Sequence, residues 1–155
     1  MFTPKYLIRL DKRTFFPDEV VCLGSQLKVI VNSLNELIES HVWFCADVDA
    51  FSPIPKNLGI DSFMLKKVES SYSLINLCEN VNQFLSGVFI AVREINTNLT
   101  YPDLLIGTED KQFRCLDLDG VLIEIRAFDT FWFELYSEDQ DLMMKLSLKF
   151  NVKIE

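Results

Sequence analysis

Two pairs of carboxylates offer the sharpest chemical possibilities in this chain. Asp117 and Asp119 stand two apart in Cys115-Leu116-Asp117-Leu118-Asp119-Gly120-Val121-Leu122, and Asp47 and Asp49 repeat that spacing upstream. Residues two apart on a strand share a face. Either pair could therefore hold a divalent metal. Nucleophilic catalysis through an imidazole would have to use His41, the only histidine. It falls between a predicted helix end and a predicted strand, where interaction with the helix dipole gives it a structural role. The four cysteines, Cys22, Cys45, Cys78 and Cys115, form no C-x-x-C pair and no zinc-ligand spacing. Each has apolar neighbours, so buried, reduced thiols are expected.

The stretch ending in Asp117-Leu118-Asp119-Gly120-Val121 resembles the first motif of haloacid-dehalogenase-type phosphatases. That resemblance implies a magnesium site, with one aspartate as nucleophile and the other as general acid/base. In that family the motif opens the domain. Here only 35 residues follow Gly120, too few for the remaining βα units. A hairpin turn at Asp119-Gly120 accounts for the same residues, because glycine tolerates positive φ. A calcium loop aligned on Gly120 would need acids where Cys115 and Arg126 stand. At Asp47 and Asp49, solvation of a turn is the commoner reason for two acids at a strand end. The expectation is no catalytic residue, no metal and no cofactor. The competing reading is a metal-dependent phosphatase-like enzyme using an Asp-x-Asp pair.

The elements that would position these groups follow from periodicity. Residues 5–10 read as a first strand. Leu27, Ile30, Val31, Leu34, Leu37 and Ile38 fall at helical spacing, with Ser25 as the expected N-cap. Val42–Ala46 reads as a buried strand, Phe51–Gly59 as a loop, and Ser62–Leu65 as a short edge strand. A second helix is expected over Ser71–Leu85, stopped by Gly87. Val88–Val92 is uniformly apolar and belongs at the centre of a sheet. Asn96–Thr108 is turn-rich. Phe113–Asp117, Val121–Ala127 and Phe131–Tyr136 would form a three-strand meander. Ser137 opens a capping box, Ser-Glu-Asp-Gln, for a last helix whose core face is Leu142, Met143, Leu146 and Phe150. Val152–Ile154 reads as a terminal strand. The expected fold is a single α+β domain over residues 1–155, a mostly antiparallel sheet with two or three helices.

The chain's 155 residues carry 15 basic and 23 acidic side chains, a net charge of −8. That balance argues against a nucleic-acid surface, which needs a positive footprint. Residues 103–155 hold 12 acids and 6 bases, while residues 1–102 are net −2 and the first 16 residues net +3. No stretch has the apolar length of a signal peptide or a membrane span, so a cytoplasmic protein without membrane contact is expected.

Gln83–Val92 and Ile123–Asp139 resemble bacterial immunity proteins of polymorphic or contact-dependent growth-inhibition toxins. The resemblance implies a small acidic α+β domain that binds one cognate toxin and blocks its active site or substrate path. A basic nuclease toxin is the natural partner, since carboxylates can mimic its phosphates. A regulatory protein-binding module is the further alternative. Strand alternation assigns the docking face. Glu124 and Arg126 oppose Ile123, Ile125 and Ala127, and Trp132, Glu134 and Tyr136 oppose Phe133 and Leu135. The expected partner-binding residues are thus Glu124, Arg126, Trp132, Glu134 and Tyr136 on an exposed, mostly acidic sheet face.

Overall fold

The computed structural model describes residues 4–94, 103–111 and 120–155. Cys115, Asp117 and Asp119, the expected strand at Phe113–Asp117, and most of the Asn96–Thr108 stretch lie outside them. Among the described residues six strands form one antiparallel sheet: β1 (Tyr6–Leu10), β2 (His41–Ala50), β3 (Lys66–Lys67), β4 (Phe84–Arg93), β5 (Val121–Phe128) and β6 (Trp132–Ser137). Their order is β1-β6-β5-β4-β2-β3. Three α-helices among the described residues, α1 (Gly24–Leu37), α2 (Ser71–Asn80) and α3 (Gln140–Phe150), complete an α+β fold.

All three helices cover one sheet face. Leu27, Ile30, Val31 and Leu34 of α1 meet Leu74 and Leu77 of α2, Leu142, Met143 and Leu146 of α3, and alternate strand residues such as Trp43, Phe89, Ile125 and Leu135 in one core. The helical spacing read from the sequence is this shared contact. Each such side chain contributes about 1.5–3 kcal/mol by leaving water. On the opposite face Phe44, Ala46, Val88, Ile90, Val92 and Val121 form a second core beneath Leu65 and Ile106. The central strands β2 and β4 are therefore buried on both faces, which is why Val88–Val92 shows no alternation.

The helix ends differ from expectation in instructive ways. Ser25 lies inside α1, whose N-cap is Leu23. The capping work falls to the buried Gln26, whose Oε1 accepts from the Leu23 N–H at 3.1 Å. Its amide donates to Asp18 and to the Val20 carbonyl, tying the preceding loop down. Gly24 is required by space, since a Cβ there would stand 2.1 Å from the carbonyl oxygens of both Cys78 and Val81. Helix α2 starts as its Ser70 cap dictates, with Oγ accepting from the Ser73 N–H at 3.1 Å. It stops at Asn80, not Leu85. Val81, Phe84 and Leu85 fit helical spacing, but Phe84 is drawn into β4, where its N–H reaches the Cys22 carbonyl and its ring meets Phe89 edge-on. Gly87 is a strand residue, and a Cβ there would stand 2.7 Å from the Phe89 ring. Ser137 ends β6 and Asp139 caps α3, its carboxylate accepting from the Leu142 N–H.

One edge of the sheet is partly covered and the other is short. The C-terminal segment brackets β1 through Leu7–Glu155 backbone bonds and an Ile8–Ile154 bridge, so the strand expected at Val152–Ile154 is reduced to a single bridge. At the other edge β3 is two lysines long, a short charged strand that discourages pairing with another chain. Around Ser62–Leu65, where an edge strand was expected, there is a single Met64–Leu105 bridge. The β5–β6 turn is made by Asp129 and Thr130, both at positive φ, with the Phe131 N–H returning to the Phe128 carbonyl.

Candidate functional site

The five residues assigned to a docking face do share one side of the sheet, opposite the helices. Register places Arg126 beside Glu134 and Glu124 beside Tyr136. It then adds Arg9 of β1 on the far side of Glu134. Arg9 was not among the expected site residues, because pairing of the first strand with the last leaves no local trace.

The face is not an exposed acidic surface. Glu124, Arg126 and Glu134 keep only 0, 3 and 7% of their surface. They must therefore be paired, since a buried charge otherwise costs several kcal/mol. Glu134 accepts from Arg9 Nη2 at 3.1 Å, from Trp132 Nε1 at 3.0 Å and from the Tyr136 hydroxyl. Arg9 lies over the Trp132 ring at 4.8 Å, a cation–π contact. Arg126 pairs with Glu124 at 3.3 Å and lies 5.8 Å from the Tyr136 ring. What reaches solvent is its rim: Trp132, Tyr136 and the outer part of Arg9.

Part of the cover is a strap, residues 104–111, absent from the strand alternation on which the exposure expectation rested. Arg126 Nη1 donates to the carbonyls of Thr108 and Asp110. Thr108 Oγ1 accepts from the Gly87 N–H at 2.9 Å, and its own N–H donates to Asp47 Oδ2 at 2.9 Å. The strap also pairs with residues 63–65: Leu65 N–H donates to the Leu104 carbonyl, and Ile106 N–H to that of Phe63.

The sequence places Asp47 and Asp49 at the end of the Val42–Ala46 strand, but the strand runs on to Ala50. Both lie inside β2, but Asp47 sits at φ 52° where the β2–β4 register shifts. A bulge breaks the alternation that a D-x-D pair needs. Asp47 anchors the strap and Asp49 accepts from the Ala50 N–H. Among the described residues no group of three or more His, Cys, Asp and Glu side chains could hold a metal ion.

His41 opens β2 and turns back onto α1, with Nε2 at 2.8 Å from Asn35 Oδ1 and Nδ1 at 3.1 Å from the Glu39 carbonyl. Its ring stands edge-on to Trp43. Cys22, Cys45 and Cys78 are buried and free of disulfides. Burial pushes the Cys22 and Cys78 thiols up to about 12 and Cys45 further up, so none is a ready nucleophile at neutral pH.

Several open clefts lie on the surface of the described residues. One of about 600 Å³ lies among the end of α1, Arg93 and Glu94, and the start of α3. Its lining mixes Glu39, Glu94, Asp139 and Asp141 with Arg93 and Lys145. Another, about 550 Å³, runs along the strap between Phe63 and Asp110. Among the described residues no helix is long and apolar enough to cross a membrane. No protein-family model, curated protein or solved structure matches this chain.

Proposed function

We propose that this protein works by binding another protein, most concretely as a cytoplasmic immunity protein that neutralises a cognate bacterial toxin without catalysing a reaction. One observation carries the reading. A chain of net charge −8 leaves large apolar side chains, among them Phe16, Phe63, Leu105 and Phe131, on its surface. Acidic surface with apolar anchors suits a basic partner, because charge speeds encounter and desolvated apolar groups hold the complex. A basic nuclease-type toxin meets both conditions. Of the sheet face first assigned to docking, Trp132 and Tyr136 stay in the proposed interface. Glu124, Arg126 and Glu134 leave it as contacts and become its internal support.

Co-expression with the product of the adjacent gene tests the proposal. That product alone should stop growth, and co-expression of this chain should restore it. An adjacent product that is harmless, or remains toxic beside this chain, would remove the immunity reading.

A further inference from the structure

We infer that the groove between Phe63 and Leu105 is the docking site for a basic segment of the protein partner, one with an apolar anchor flanked by arginine or lysine. The inference rests on the protein-binding reading and names the surface that serves it. Phe63 and Leu105 stay 60 and 62% exposed although the strap that carries Leu105 is backbone-paired with the segment that carries Phe63. The groove is lined by Phe63, Leu104, Leu105, Ile106 and Gly107, with Asp103 and Asp110 as its charged members. Among the described residues no lysine or arginine lines it.

The groove is preorganised. A Cβ built on Gly107 would stand 3.2 Å from the Phe63 ring and 3.7 Å from Asp110 Oδ1, so ring and carboxylate flank the same point of backbone. Asp110 is held there because its Oδ2 accepts from the Gly107 N–H at 2.9 Å. Beneath, Arg126 fixes the backbone through the Thr108 and Asp110 carbonyls. An aromatic face beside carboxylates attracts a guanidinium or ammonium in two ways, through the ring quadrupole and through charge. The apolar floor accepts the partner's anchor. Backbone held in place by these bonds before binding favours affinity.

The test uses three synthetic 12-residue peptides, with Arg-Leu-Arg, Glu-Leu-Glu or Arg-Ser-Arg at the centre, titrated into the ¹⁵N-labelled full chain. The Arg-Leu-Arg peptide should move the amides of Phe63, Leu105 and Gly107 saturably. Binding should weaken at least fivefold between low salt and about 0.5 M salt, as screened charges require. Asp103→Asn and Leu105→Ser, both exposed, should each weaken it at least fivefold while leaving the remaining spectrum in place. Equal binding of the Glu-Leu-Glu peptide, unchanged affinity in Leu105→Ser, or shifts confined to another face would overturn the inference. Peptide binding without any effect on the adjacent gene product would overturn the immunity reading alone. Full neutralisation of that product by Leu105→Ser would overturn the groove alone.

Discussion

Replacing Glu134 by leucine should remove the hub of the sheet's charged face. Its carboxylate accepts three bonds, from Arg9, Trp132 and Tyr136. Hydrogen bonds to a charged group contribute about 1.5–3 kcal/mol each. Trp132 and Tyr136 are only partly buried, so the lower end applies to both and gives about 3 kcal/mol. The Arg9 side chain is 40% exposed, and solvent screening limits that pair to less than about 1 kcal/mol. The expected loss is about 3–4 kcal/mol, near 10 °C in melting temperature for a chain of this size. Glu134→Gln keeps the shape and one acceptor oxygen and should cost about half as much. Urea denaturation measures both. Double-mutant cycles with Trp132→Phe and Tyr136→Phe should each show coupling to Glu134 of about 1 kcal/mol. A Glu134→Leu cost below about 1 kcal/mol, or no coupling to either aromatic, would refute the argument.

Gly24→Ala should destabilise the fold by about 3 kcal/mol in the same assay, because the helix start must retreat from two carbonyl oxygens 2.1 Å from the new methyl. The buried thiols set an alkaline limit. Folded Cys22 and Cys78 sit at about 12 against an ordinary 9.0, so their protons are held more tightly in the folded state. The stability they contribute is complete below pH 9.0 and lost as pH rises from there through about 12. Denaturation midpoints measured from pH 8 to 11 should therefore fall, and a thiol reagent at pH 8 should label these cysteines only after unfolding. Trp132→Ala should weaken binding to the cognate partner by at least roughly 2 kcal/mol with the fold retained. Calorimetric titration checks it, and unchanged affinity would take the Trp132 rim out of the interface.

The elements with a single periodicity were legible in the sequence. Leu27 to Leu34 could only be one helical face, and the apolar run Val88–Val92 could only be central. Where two periods coincide, as at Val81, Phe84 and Leu85, strand pairing decided the outcome, and local spacing carries no information about that. Strand parity correctly put Glu124, Arg126, Trp132, Glu134 and Tyr136 on one face. Their exposure could not be read, because it depends on residues 104–111 returning across the sheet and on β1 joining β6, both non-local events. Arg126 was the available hint: a cation alternating with Ile125 and Ala127 inside a β-prone run implies either solvent or a partner. The carbonyls of Thr108 and Asp110 and the Glu124 carboxylate are the partners it found.

The most direct test of the account is stoichiometric inhibition. The purified product of the adjacent gene would be assayed for its own activity, such as nucleic-acid cleavage, while this protein is titrated in at low and high salt. The account predicts activity falling to zero at one equivalent, with a complex whose association slows as salt rises. Undiminished activity at a severalfold excess of this protein, with no complex detected by calorimetry at either salt concentration, would contradict it.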